Sequence, residues 1–169
     1  HQSMGIGQNL TLNESNASNS FAYVTAVSDT TFSVSMQFQT NGNDSSATYV
    51  AYIFAHDDQS FGTNSDESII KCGSYTGTGN SSKNFINLGF EPQWLMIKNV
   101  TEGSTDWVML DAMRGLTNVD DNTPVLSANT DGAESTIGIV KRFATGFEIT
   151  GNGTYTNWSG KTFIYMAIR

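Results

Sequence analysis

Apolar residues along this chain recur in short runs of β-branched and aromatic type, cut off by Gly, Asn, Asp and Ser, which is the pattern of strands joined by tight turns. The clearest runs cover residues 21–27, 31–38, 49–55, 94–100, 107–110, 136–143, 146–150 and 162–168. In residues 49–55 (YVAYIFA) and 163–168 (FIYMAI) nearly every position is apolar, so both are expected to be covered on two faces, inside a sheet and not at its edge. Asn41-Gly42, Asp131-Gly132 and Gly151-Asn152-Gly153 supply turn residues that tolerate positive φ. Helical periodicity is nearly absent, and only residues 130–135 could hold a single turn. The expectation is an all-β fold of short antiparallel strands with little or no helix.

The same runs disclose an internal repeat. Leu10-Thr-Leu-Asn13, followed by Ala17, returns as Leu126-Ser-Ala-Asn129, followed by Ala133, 116 residues later. Phe32-Ser-Val returns as Phe147-Glu-Ile after 115 residues, and Thr48-Tyr-Val as Thr162-Phe-Ile after 114. Residues 1–56 then read as the second half of one unit, residues 57–71 as a connection, and residues 72–169 as a complete β-sandwich unit. Half a sandwich leaves an apolar face and sheet edges uncovered, which calls for completion by an upstream segment, by the downstream unit or by another subunit. His1 in place of Met leads us to expect a numbering that begins inside a longer polypeptide, or after a cleavage or a disordered stretch.

Composition narrows the function classes. Ser, Thr and Asn make up about a third of the chain and charged residues only 14%, a balance that suits turns and exposed strand faces better than helix surfaces. A net charge of −8 and a pI near 4.4 argue against nucleic acid and anionic lipid as partners. The single Cys72 excludes an intrachain disulfide framework, so durability has to come from sheet packing or oligomerisation. No apolar run approaches the roughly 20 residues that span a bilayer as a helix.

The stretch from Ser68 to Arg169 carries a set of ordered motifs: Gly73-Ser-Tyr-Thr-Gly-Thr-Gly79, Gly89-Phe-Glu-Pro-Gln-Trp-Leu-Met-Ile-Lys98, Trp107 with Asp111 and Arg114-Gly115, Leu126-Ser-Ala-Asn129 with Glu134, Gly146-Phe147, and Thr162-Phe-Ile-Tyr-Met-Ala-Ile-Arg169. In order and spacing it resembles a domain repeated in tail-fibre and other virion-surface proteins of tailed phages, especially marine ones. Tyr49-Val-Ala-Tyr-Ile-Phe-Ala-His56 resembles the end of a preceding copy. The resemblance implies an all-β antiparallel sandwich, lectin-like in appearance, with a structural role at the virion surface. Its implied partners are further copies of itself, as a trimer in the manner of phage fibres, other virion proteins, and a host cell-surface glycan. It brings no catalytic or ligand residues and no cofactor.

Read physically, Gly73, Gly77 and Gly79 suit tight turns or close backbone approach. Asp111 and Arg114 are placed to form a charge-assisted pair pinning the Arg114-Gly115 turn. Trp94 and Trp107 lie in apolar strands and read as core or near-core residues, whereas Trp158 lies on a polar loop. There an aromatic face flanked by amide and hydroxyl groups can dock a sugar, so Tyr155, Asn157 and Trp158 are the candidate ligand residues. The acidic clusters Asp57, Asp58, Asp66, Glu67 and Asp120, Asp121, Asn122 lack the spacing of a calcium loop and read as solvated turns, so no metal is assigned.

The sequence offers no catalytic constellation. His1 is terminal, and His56 lies where the connection begins. No nucleophile elbow, phosphate-binding loop or zinc-protease motif occurs in the sequence. Asp106 and Asp111 are the nearest carboxylate pair for glycan cleavage, but Arg114 is positioned to occupy the second. The expectation is a non-enzymatic virion surface protein acting by assembly and host adhesion, with a free-standing carbohydrate-binding domain as the alternative and a glycan hydrolase behind both. The several Asn-x-Ser/Thr sequons, Asn157 among them, follow from composition.

Overall fold

A computed structural model describes residues 1–35, 47–80, 82–119, 122–137 and 140–169. Eleven strands are seen among them: β1 (Val24–Val27), β2 (Phe32–Val34), β3 (Ile70–Thr76), β4 (Asn84–Asn87), β5 (Trp94–Asn99), β6 (Val108–Asp111), β7 (Thr123–Ser127), β8 (Ser135–Ile137), β9 (Val140–Phe143), β10 (Gly146–Ile149) and β11 (Thr162–Ile168). The one helical element described is a single 3-10 turn at Gln2–Met4. The protein is therefore all-β, as its strand pattern requires. The turn at Asn41-Gly42 and the cluster at Asp120 and Asp121 lie outside the described residues.

A six-stranded sheet in the order β3-β11-β5-β6-β7-β8 faces a three-stranded sheet in the order β4-β10-β9, and every pairing is antiparallel. Alternation along the strands builds the layer between them. Leu95 and Ile97 of β5, Leu110 of β6 and Phe163, Tyr165 and Ala167 of β11 turn into the same apolar core as Ile86, Val140, Phe147 and Ile149 of the smaller sheet. Aromatic rings bridge the layers: Phe147 meets Tyr165 edge-on with ring centroids 5.4 Å apart. Tyr75 stacks on Phe163 across the β3–β11 pair at 5.1 Å.

β11 fulfils the expectation of an interior strand. β3 and β5 flank it along its length, and Ile164 on its other face is also buried. Residues 49–55 do not fulfil it. They form no strand, and Val50, Tyr52 and Ile53 are 77%, 84% and 75% exposed. An apolar run becomes a covered strand only where a neighbouring strand pairs with it, and residues 49–55 join no ladder.

Among the described residues before β3 one further sheet is seen, the β1–β2 hairpin, with Val27 opposite Phe32 and Ala26 opposite Ser33. β9 and β10 pair Arg142 with Phe147 and Lys141 with Glu148. Each of these four residues lies 115 positions after its counterpart. The two hairpins thus share one register, with a bulge between Val24 and Ala26 in the first. Residues 1–19 cross the outer face of the large sheet as a strap. The Ser18 N–H donates to the Val100 carbonyl at 3.1 Å, the Trp107 Nε1–H to the Thr11 carbonyl at 3.1 Å, and the Thr105 N–H to the Ser15 carbonyl at 3.2 Å.

Candidate functional site

The loop between β10 and β11 carries the three residues singled out from the sequence, and the structure divides them. Tyr155 and Trp158 are 38% and 37% exposed, while Asn157 is fully buried. Asn157 works within the protein. Its Oδ1 accepts the backbone N–H of Thr78 at 2.9 Å, and its Nδ2 donates to the carbonyls of Gly79 at 2.9 Å and Gly151 at 2.6 Å. A buried amide with both ends engaged is a staple, here joining the loop after β3 to the loop before β11.

That junction explains the Gly-Ser-Tyr-Thr-Gly-Thr-Gly motif. A side chain at Gly77 would overlap the Trp158 carbonyl, so the two loop backbones can approach only if this residue is glycine. The Gly77 N–H donates to the Lys161 carbonyl at 2.8 Å, and the Gly77 carbonyl accepts the Gly160 N–H at 2.9 Å. At Gly73 a side chain would strike the Tyr165 ring and hydroxyl. Tyr75 completes the junction by donating its hydroxyl to the Thr156 carbonyl at 2.6 Å, and burial pushes that phenol well above its ordinary pKa.

Above this junction sits the Trp158 ring, with the Lys161 ammonium 5.5 Å from its centroid and itself ion-paired to Glu102. Trp158 and Tyr155 thus offer partly exposed aromatic surface on a loop braced from beneath.

A second polar centre lies under the strap, on Lys98. The side chain is 0% exposed, and its Nζ donates to the Ser15 carbonyl at 3.1 Å, the Thr105 carbonyl at 2.5 Å and Thr105 Oγ1 at 3.1 Å. Burial lowers its pKa to about 8, against an opposing pull from Asp106. Three acceptors for three ammonium protons mark it as a structural lysine that ties the strap to the sheet. The sequence held one signal of it, a lone charge inside Trp94-Leu-Met-Ile-Lys98. Beside it, Met4, Leu10, Tyr23, Met96, Trp107 and Met166 line an apolar cleft of about 400 Å³.

The remaining candidates are tied into the framework. Asp111 pairs with Arg114 at 2.5 Å and accepts the Arg114 backbone N–H at 2.9 Å, so the expected turn-pinning pair is present. Asp106 accepts from Asn129 Nδ2 at 2.8 Å, and Asn129 Oδ1 accepts the Trp107 N–H at 2.9 Å, which gives the Leu-Ser-Ala-Asn motif its role. His56 Nδ1 accepts the Cys72 N–H at 2.9 Å, and His1 Nε2 lies 3.0 Å from the Tyr165 carbonyl. Within the acidic segment, Asp57 pairs with Lys71 at 3.3 Å, Glu67 pairs with Arg169, and Asp58 accepts from Ser60. Among the described residues no group of three or more His, Cys, Asp or Glu side chains is arranged to hold a metal ion. No helix among them is long and apolar enough to cross a membrane.

Fold and loops together define an antiparallel β-sandwich module whose signature residues are occupied in holding loops and strap in place. The chain belongs to the family described as Domain of unknown function (DUF7483), whose match extends over residues 1–169. No curated protein and no solved structure matches it.

Proposed function

We propose that this chain is a repeated β module of a phage virion-surface protein, in a fibre, spike or capsid-surface fibre, acting by assembly and by adhesion to the host surface. The observation that carries the reading is one sandwich accompanied by a second, partial set of its own elements. The β1–β2 hairpin has the register of β9–β10, and residues 48–55 repeat the sequence that forms β11. Repeating units of this kind bury their apolar faces against one another, which is the logic of an extended fibre. The motif resemblance over residues 68–169 supports the same class. In this reading the copies associate as a trimer, on the surface of the particle.

The test is mass spectrometry of purified particles from a phage whose genome encodes the chain. Several copies per particle are expected. Particles that lack the chain, together with a purified chain that sediments as a compact monomer, would remove the reading.

Partly exposed Tyr155 and Trp158 favour a second reading, a carbohydrate-binding domain of lectin-like kind. Here Trp158→Ala, with its fold intact, abolishes binding on a glycan array. An array on which the parent chain binds nothing speaks against it.

A further inference from the structure

Trp158 precedes the first residue of β11 and Arg169 follows the last, so the seven residues of the strand put them roughly 20 Å apart, at opposite ends of the sandwich. At the Arg169 end the segment before β3 and the turn between β4 and β5 bound a cavity of about 310 Å³. Leu88, Gly89 and Phe90 close it from within. Two ion pairs stand in its wall, Asp57 with Lys71 at 3.3 Å and Glu67 with Arg169.

Each pair is placed by the backbone behind it. The Asp57 N–H donates to the Ile70 carbonyl at 2.8 Å, and the Arg169 N–H donates to the Ile69 carbonyl at 2.9 Å. Glu67 exchanges both of its backbone bonds with Phe61, and its side chain occupies the space that a side chain at Gly62 would fill.

A wall of paired opposite charges has a definite chemical preference. An anion or a cation joins one member of such a pair only by displacing the other. A hydroxyl donates to the carboxylate and accepts from the cation, so adjacent hydroxyls join the pair without breaking it. Two pairs in one cavity suit a ligand with hydroxyls on two sides, which is the pattern of a sugar ring. The volume falls at the lower end of the roughly 300–1,000 Å³ of small-molecule sites, room for one ring and not for a chain.

We propose that this cavity binds a single saccharide residue through its vicinal hydroxyls, one set on Glu67 and Arg169 and the other on Asp57 and Lys71. The site is separate from the loop of Tyr155 and Trp158 and rests on neither reading above.

The probes are the methyl glycosides of mannose, galactose and glucose, titrated into the isotope-labelled full chain and followed by amide chemical shifts, with cyclohexanol as the single-hydroxyl control. At least one glycoside is expected to shift the amides of residues 57–59, 66–69 and 88–90 saturably, with a dissociation constant in the millimolar range. Cyclohexanol shifts none of them. Arg169→Met and Lys71→Met each remove the cation of one pair. Both pairs reach solvent, where ion pairs contribute little to stability, so each variant is expected to keep the parent spectrum away from the cavity while binding weakens at least tenfold. Trp158→Ala leaves the binding unchanged. No shift with any glycoside, shifts confined to residues 154–161, an equal response to cyclohexanol, or binding that survives both cation substitutions overturns the proposal. Millimolar binding is lost in the washing of a glycan array, and particle mass spectrometry does not register it, so this inference and the two readings above fail separately.

Discussion

Asn157 and Thr78 lie 79 positions apart in the chain, yet Oδ1 of the first accepts the backbone N–H of the second at 2.9 Å. The same side chain donates to Gly79 and Gly151. Asn157→Ala removes these bonds and leaves several backbone groups unsatisfied, at about 1–3 kcal/mol for each buried group that finds no water. The expected loss is about 2–4 kcal/mol, read as a lower urea midpoint with an unchanged slope.

Gly77 makes the complementary prediction for the same junction. Its absent side chain is the space in which the Trp158 carbonyl sits. Gly77→Ala forces backbone against backbone and is expected to destabilise by about 1–3 kcal/mol, the usual scale of overpacking. An alanine variant as stable as the parent would show that the loops separate at no cost.

Tyr75 joins core to loop through one atom. Tyr75→Phe retains the stack on Phe163 and removes the hydroxyl that reaches the Thr156 carbonyl. A cost of about 1–2 kcal/mol is expected, because that carbonyl loses its buried donor. Chemical denaturation of the two proteins side by side checks it.

Lys98 gives the chain a pH signature. Its folded pKa of about 8 lies below the ordinary lysine value of 10.5. Below pH 8 both folded and unfolded states carry the proton, and the cost of a buried charge is fully present. Between pH 8 and 10.5 the unfolded state holds a proton that the folded state has released, so stability rises with pH. From about pH 7.5 to about pH 9.5 the gain is about 2 kcal/mol. Past pH 10 the buried phenol of Tyr75, whose pKa is raised, acts in the opposite direction. Urea titrations of the parent and Lys98→Met at the two pH values isolate the effect: the rise is present in the first and absent in the second.

Strand content was legible in the sequence because short β-branched runs between Gly and Asn clusters have few other uses. β5, β6, β10 and β11 fall within a residue of the runs that mark them. β3 and β4 were not legible. Ile70–Thr76 contains Lys, Gly and Ser, and Asn84–Asn87 has only two apolar residues, so each is held by its neighbours and not by its own pattern. β7 was hidden by Pro124, which the strand accommodates near its start. The run at residues 136–143 divides between β8 and β9, which lie in different sheets.

Residues 49–55 show the converse limit, since an apolar run does not by itself secure a place in a ladder. The loop with Tyr155 and Trp158 could be read from an aromatic in a polar setting. The burial of Asn157 could not, because its partners at Thr78, Gly79 and Gly151 come together only in the folded chain.

The central claim, that this is a module built to assemble with others of its kind at a particle surface, meets its most direct test in an electron cryo-microscopy map of an intact phage encoding the chain. The account predicts surface density in which the two-layer sandwich repeats from unit to unit. Density that holds a single sandwich touching no other copy, or particles without the chain, would contradict it.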